Sequence, residues 1–204
     1  MPGTVYALLV GINDYGGNPS PLFGCRADVE AMSGLLRSRA ADEHYVEEII
    51  CDGDATRERV IERFRGHLGR AGAGDVAVFV FSGHGSYEPV EERFWFLEPT
   101  GQNQTLVCAD SRTKRAGDLA DKELNELIRE VADRGPHVLV LLDCCHSGGG
   151  TRDPEALPQG VRARLAPPVA QPRPLEAYLP GVRGAVEHAA TAAGAPAGLA
   201  HPRH

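Results

Sequence analysis

The sequence has no surplus of positive charge and no long apolar run, and these two absences exclude whole classes of function. Its 204 residues carry 21 Lys and Arg against 28 Asp and Glu, a net charge of −7. The chain as a whole therefore offers no electrostatic attraction to nucleic acid. No stretch reaches the roughly 20 apolar residues of a membrane-spanning helix, and the first residues lack the basic and apolar regions of a secretory signal. We predict a cytoplasmic protein without nucleic-acid or membrane partners.

Cysteine is scarce and present in an odd number, which argues against a disulfide framework. The five cysteines are Cys25, Cys51, Cys108, Cys144 and Cys145. No CxxC pair accompanies the contiguous Cys144, Cys145 and His146, so zinc-ligand spacing is absent. The glycine-rich stretch 68–75 precedes a strand rather than following one, unlike a phosphate-binding loop. We predict reduced thiols and no bound metal or cofactor.

Several short apolar runs alternate with helical patterns, which predicts an α/β fold around a mostly parallel sheet. Helical stripes begin after Cys25, after Thr56 and near Leu124, and Gly135 is a plausible end for the third. Strands without polar alternation suit a sheet that is covered on both faces. The predicted strands are residues 4–12, 46–54, 76–86 and 137–145, and residues 94–99 are predicted as a short hairpin arm.

The composition changes after residue 152. Residues 153–204 hold nine of the 15 prolines and much alanine, with no apolar run long enough for a central strand. This composition is typical of linkers and weakly ordered tails. We predict one domain over residues 1–152 and a Pro/Ala-rich linker or tail over residues 153–204.

Two motifs, SGHGS and DCCHSGGG, end predicted strands, where ligands bind in parallel sheets. A cysteine peptidase needs a thiolate, an imidazole to move its proton and donors for the oxyanion. His84 and Cys145 can supply the first two, and the N–H groups of Gly85 and Cys145 can supply the donors. The alternatives are a buried core thiol at Cys145, a turn histidine at His84, and His146 as the imidazole, although neighbouring side chains on an extended segment diverge.

The segments YALLVGINDY, GCRADVEAM, VFVFSGHGS and LLDCCHSGGGTR occur in this order and together resemble the large-subunit (p20-like) part of the caspase and metacaspase family, peptidase C14. The resemblance covers residues 4–152. It implies a caspase-like three-layer α/β/α sandwich around a mostly parallel sheet. It also implies a cysteine endopeptidase in which Cys145 is the nucleophile, His84 is the catalytic histidine, and Cys144 packs in the core.

The acids near the motifs bear on specificity. Asp143, two residues before Cys145, matches the metacaspase and bacterial orthocaspase pattern, which implies cleavage after Arg or Lys. Asp28 resembles a family S1 residue, and Cys25 and Ser82 match neighbouring pocket positions. Two carboxylates would hold a guanidinium through charge-assisted bonds and repel an acidic substrate. The simpler alternatives are a hydrogen-bonded structural acid at Asp143 and a helix N-terminal charge at Asp28.

The small (p10-like) subunit of the family is not recognisable in residues 153–204. An inactive or incomplete scaffold that binds other proteins is therefore the alternative to a peptidase, and a small-subunit partner or self-association is a further expectation. Calcium activation, common in metacaspases, is left open, with Asp110, Asp118 and Asp121 as candidates by composition alone. If P1 is basic, we expect protein or peptide substrates and self-cleavage in the tail. The tail's candidate sites are Arg152, Arg162, Arg164, Arg173 and Arg183.

Overall fold

A computed structural model describes residues 3–40, 44–113, 116–145 and 163–192. Its centre is a four-stranded sheet in the order β2-β1-β3-β7, in which all neighbouring strands are parallel. The strands are β1 (Val5–Gly11), β2 (Tyr45–Cys51), β3 (Val76–Ser82) and β7 (His137–Asp143). These four confirm the strands predicted from apolar runs, and β3 between β1 and β7 is the most buried, as its unbroken run VFVFS predicts.

A second, smaller sheet is antiparallel and has the order β4-β5-β6. Its strands are β4 (Gly85–Pro89), β5 (Gln102–Leu106) and β6 (Leu119–Ala120). The hairpin arm predicted at residues 94–99 is wrong, because this stretch forms turns after a short 3-10 helix, Glu92–Phe94. Trp95 is half exposed there and donates its indole N–H to the Val90 carbonyl.

Helices cover both faces of the main sheet, which confirms the three-layer α/β/α arrangement. The helices are α1 (Cys25–Arg39), α2 (Arg57–Gly66), α3 (Asp121–Ala132) and α4 (Pro180–Ala192). Val29 of α1 packs with Leu9 and Val80 on one face, while Phe64 of α2 packs with Phe79 on the other. This division follows from the alternation of side chains along each strand.

Part of the segment predicted as linker is helical and packed. α4 lies against α3, and Val182 and Val186 form a small apolar cluster with Phe94 and Leu175. The N–H groups of Gly181 and Val182 donate to the Glu126 carboxylate of α3. A carboxylate at the first N–H groups of a helix satisfies donors that have no partner within the helix. Residues 163–192 are therefore more ordered than their Pro-rich composition predicts.

Among the described residues, β7 pairs only with β3 and forms one edge of the main sheet. Leu139 and Leu142 on this strand are more than 40% exposed. An edge strand with exposed leucines presents unpaired backbone groups and an apolar surface to any further strand. No helix of the described ranges is long and apolar enough to cross a membrane.

Candidate active site

The strand register brings two predicted site residues, Ser82 and Asp143, to one edge of the main sheet. Gly11 of β1 lies beside Ser82 of β3, and Ser82 lies beside Asp143 of β7. Because the strands are parallel, all three lie at carboxyl ends, the edge at which such sheets bind ligands. His84 and Cys145 follow Ser82 and Asp143 by two residues each and therefore begin at the same edge.

The start of α1 adds Cys25 and Asp28 to this edge. Gly11 allows the approach, because a Cβ there would lie 2.8 Å from the Val29 side chain and 2.9 Å from the Cys25 carbonyl oxygen. The Asn13 side chain accepts a hydrogen bond from the Cys25 N–H at 2.9 Å, which satisfies one of the free donors at the helix start. The motifs GIND and GCRAD, whose glycines are 13 residues apart in the sequence, are thus joined at the start of α1.

Asp28, Ser82 and Asp143 converge on the guanidinium of Arg164, a residue of the chain's own tail. Arg164 Nη2 lies 2.6 Å from the Asp28 carboxylate, and Nη1 lies 2.7 Å from Ser82 Oγ and also contacts the Asp143 carboxylate. Nη1 donates to the Asp143 carbonyl as well, at 3.1 Å. The Arg164 side chain is only 22% exposed. The predicted S1 residues therefore form one pocket, and it holds an arginine.

The carbonyl oxygen of Arg164 meets the two amides predicted to hold the oxyanion. The Gly85 N–H donates to it at 2.8 Å, and the Cys145 N–H donates to it at 3.3 Å. Two converging N–H groups at one carbonyl oxygen are the arrangement that stabilises negative charge during acyl transfer. Arg164 therefore has its side chain in the acidic pocket and its carbonyl between these donors.

His84 is 3% exposed and is held through its backbone and its ring. Its N–H donates to the Tyr15 hydroxyl at 2.8 Å, and ring Nε2 lies 2.8 Å from the Ser20 carbonyl oxygen. With the proton on Nε2 facing that carbonyl, Nδ1 keeps the lone pair that a base needs. Nδ1 is buried and has no hydrogen-bond partner within the described ranges.

Burial lowers the pKa of the His84 imidazole, and the Ser20 and Arg164 backbones act in the opposite direction. The ring is therefore neutral at neutral pH and lies beside the Arg164 backbone. Tyr15 packs against it with ring centroids 5.1 Å apart. Gly83 permits this packing, since a Cβ on it would lie 2.7 Å from the Tyr15 hydroxyl oxygen.

The thiols near the site differ in their surroundings. Cys144 packs against the main core, and burial raises its pKa to about 12. Cys25 is fully buried below the acidic pocket, and burial raises its pKa as well. Cys145 is half-buried, one residue beyond Cys144, with its N–H directed at Arg164. Because Cys144 packs in the core and burial keeps its thiol protonated, Cys145 is the better candidate for a nucleophile.

The tail that carries Arg164 is fixed to the domain by a buried ion-pair cluster. Arg173 lies 2.9 Å from the Glu88 carboxylate and 3.3 Å from that of Glu123, and both acids are almost completely buried. Arg173 also lies over the Tyr178 ring, whose hydroxyl donates to Glu88 at 2.7 Å. No sequence pattern predicts this cluster, because it joins the tail to β4 and α3 across long separations in the chain.

The other predicted tail arginines are placed differently. Arg173 belongs to the ion-pair cluster, and Arg183 lies on α4. Arg152, Arg162 and the rival imidazole His146 lie outside the described residues. Sequence reasoning also missed the Ser20 carbonyl and the Tyr15 hydroxyl. A backbone carbonyl has no side-chain signature, whereas Tyr15 ends the YALLVGINDY segment but its residue type alone indicates no role there.

The acids considered as calcium ligands contact different partners and not one another. Asp118 is buried with Arg112 and Thr105, and burial raises its pKa. Asp110 accepts a hydrogen bond from the N–H of Arg57 at the start of α2. No group of three or more His, Cys, Asp or Glu side chains within the described ranges is arranged to hold a metal ion. These acids do not fit a calcium site together, and calcium activation stays a prediction.

The fold and this edge of the sheet define a caspase-like α/β/α domain with a histidine and a cysteine beside an acidic pocket. A sequence model of the metacaspase peptidase C14 domain matches residues 6–152. The chain belongs to the metacaspase family, a family of cysteine peptidases.

Similar proteins support this assignment. Metacaspase III c of Phaeodactylum tricornutum is 30% identical over 72% of this chain and 43% of its own length. Metacaspase-1 of Mycosarcoma maydis is 31% identical over 72% of this chain and 37% of its own length. The crystal structure of protein GSU0716 from Geobacter sulfurreducens matches with a TM-score of 0.58 and 30% identity, over 79% of this chain and 60% of the other. The chain thus spans less than half the length of these two curated relatives.

Proposed function

We propose that this chain is a cysteine endopeptidase that cleaves peptide bonds after arginine or lysine. The observation that carries the proposal is the position of Arg164, whose guanidinium lies between Asp28 and Asp143 while its carbonyl accepts the N–H groups of Gly85 and Cys145. A substrate residue must meet both requirements at once, because the pocket selects the side chain and the amides activate the carbonyl.

In the proposed reaction, Cys145 Sγ bonds to the carbonyl carbon of the basic residue, and the C–N bond breaks. His84 Nδ1 accepts the thiol proton and gives it to the leaving amine. Water then hydrolyses the thioester, which returns the proton to sulfur. The Gly85 and Cys145 amides stabilise the oxyanion in both steps, worth about 10²–10³-fold for each donor by analogy with other acyl transfers.

The pocket's charge supports a basic rather than an acidic P1 residue. Asp28 and Asp143 face one guanidinium with Ser82 Oγ between them, 3.2 Å and 3.4 Å from the two carboxylates. A substrate aspartate in the same place would face two like charges at short range. Lysine would reach the same carboxylates with one ammonium but without the planar fork of arginine, so arginine should be the better substrate.

Hydrolysis of fluorogenic peptides that differ only at P1 tests the proposal. The peptides carry Arg, Lys or Asp, and the wild-type chain and Cys145→Ala are compared with and without calcium. Cleavage after Arg and Lys that is lost in Cys145→Ala supports the peptidase. Cleavage after Asp contradicts the pocket assignment, and no cleavage by a chain shown to be folded favours the scaffold alternative.

A further inference from the structure

The residues that follow Arg164 run along the outer edge of β4. Leu165 forms a parallel bridge with Gly85. The Gly85 N–H donates to the Arg164 carbonyl, and the Ala166 N–H donates to the Gly85 carbonyl, both at 2.8 Å. Since the other edge of β4 pairs with β5, the tail segment lies along the free edge of β4 and makes a single bridge there. The Gly85 N–H, which donates to the Arg164 carbonyl, therefore lies on the same edge of β4 that contacts the residues after Arg164.

The contacts continue beyond Ala166. The Val169 N–H donates to the Tyr87 carbonyl at 3.0 Å, and the Ser86 hydroxyl donates to the Pro167 carbonyl at 2.9 Å. Ser86 is completely buried under this segment. Pro167 and Pro168 have no N–H to donate. The two N–H groups that donate to carbonyls of β4 belong to Ala166 and Val169, on either side of the prolines. The segment thus contacts β4 almost entirely through its backbone.

One side chain of the segment is also selected by size. Ala166 is 1% exposed and belongs to the main core cluster, whereas Leu165 before it is 38% exposed. A larger side chain at position 166 would have to displace core atoms, which costs about 1–3 kcal/mol when a core is overpacked. The exposed position before it has no such limit.

Because Arg164 takes the place of the P1 residue, the residues after it occupy the leaving-group side of the site. We infer that the outer edge of β4, from Gly85 to Tyr87, binds the primed side of substrates, and that it takes an extended peptide with a small residue at P2′. This inference rests on the proposed function. Backbone pairing to a sheet edge gives affinity with little dependence on sequence, while a single buried position gives selectivity. Proline is accepted at P3′ and P4′ because those positions donate nothing.

Self-cleavage of the full chain tests the inference, with variants that remove one N–H each. Ala166→Pro and Val169→Pro delete the two donors to β4, and Pro167→Ala is the matched control, which restores an N–H that the edge does not use. The chains are made by cell-free synthesis and sampled over time by mass spectrometry. Loss of one net hydrogen bond is expected to slow cleavage at Arg164 about threefold to tenfold, while the control remains within about twofold of wild type.

Hydrolysis of a fluorogenic Arg reporter, which has no primed residues, separates the two proposals. If the reporter and Arg164 are cut in wild type but both proline variants cut at the wild-type rate, the inference is wrong and the proposed function stands. If neither the reporter nor Arg164 is cut, the proposed function is wrong.

A binding measurement tests the inference in the cases where the proline variants fail to fold or the chain does not cleave. A Cys145→Ala chain that also carries Arg164→Ala and Val169→Pro has a weakened internal segment, and it is titrated with a labelled peptide of sequence ARLAPPVA. The same peptide with an N-methylated P2′ alanine should bind about threefold to tenfold more weakly, since it lacks one hydrogen bond. Equal affinities, or no binding of either peptide, would overturn the inference.

Discussion

The guanidinium of Arg164 lies 2.6 Å from the carboxylate of Asp28, although the two residues are 136 positions apart in the sequence. Asp28 lies in the first turn of α1, and Arg164 belongs to a Pro-rich tail. Their contact joins a pocket to a segment that fits it, with the Arg164 carbonyl at the Gly85 and Cys145 amides. The proposed function makes the tail a substrate-like segment within the chain, and the geometry of this segment makes the proposed specificity directly testable.

Among the tail arginines in the described residues, self-cleavage is expected at one. The bond after Arg164 should be cut, which gives fragments 1–164 and 165–204, whereas Arg173 should be spared because its side chain is held by Glu88 and Glu123. Intact-mass measurement over time identifies the site. The Arg164→Lys variant should still be cut at this bond, but more slowly than wild type. The Arg164→Gln variant should not be cut at this bond. Cleavage after Arg173 with Arg164 intact would contradict the assignment.

The acidic pocket should control the preference for basic residues. Asp28→Asn removes a charge that faces the P1 guanidinium. The loss of a charged hydrogen bond costs about 1.5–3 kcal/mol, or about 10-fold to 160-fold in kcat/KM. The measurement is kcat/KM for a P1-Arg peptide, with Asp143→Asn as a second pocket variant. Glu30→Gln makes the same change of charge on an exposed position of α1 and should have little effect. Equal losses in the Asp28 and Glu30 variants would rule out a specific S1 role.

Sequence patterns predicted the main sheet well because each strand carries its own signal. β1, β3 and β7 are unbroken apolar runs, and their shared carboxyl edge follows from parallel pairing, so Ser82 and Asp143 could be expected to meet. β5 gave no such signal. Its sequence QNQTL is polar, and it forms a strand because β4 and β6 pair with it. The aromatic stretch 94–99 has the composition of a strand but forms turns, because tertiary context outweighs strand propensity.

The occupant of the pocket could not be predicted to the same degree. Arg164 was one of five candidate tail arginines, and nothing in its local sequence distinguishes it from Arg162. Its position depends on the path of the tail, which is set by the buried contacts of Arg173 nine residues later and by backbone pairing to β4. Backbone contacts such as that of the Ser20 carbonyl with His84 leave no trace in residue types.

The ion-pair cluster should make a large contribution to the order of the tail. Arg173→Met leaves Glu88 without its cationic partner in a buried site, and such a loss costs about 3–5 kcal/mol. Urea unfolding of the Cys145→Ala chain, which prevents self-cleavage, measures the free energy of unfolding. Arg26→Met removes an exposed pair with Asp52 and should cost less than about 1 kcal/mol. A change below 1 kcal/mol for Arg173→Met would mean that the cluster does not stabilise the fold.

The pH dependence of cleavage should report a histidine that stays neutral in mild acid. Burial lowers the pKa of His84 from its ordinary value of 6.5, and the base must be neutral to accept the thiol proton. Activity should therefore persist below pH 6.5 and fall only as the pH drops through the lowered pKa.

The measurement is kcat/KM for a P1-Arg peptide between pH 4 and pH 8. His188→Gln, an exposed histidine on α4, is the control and should leave the profile unchanged, whereas His84→Ala should abolish cleavage at every pH. An acidic limb at or above pH 6.5 would exclude a neutral, buried base. In that case the rate would follow a different group, and the hydrogen bond between His84 Nε2 and the Ser20 carbonyl would have only a structural role.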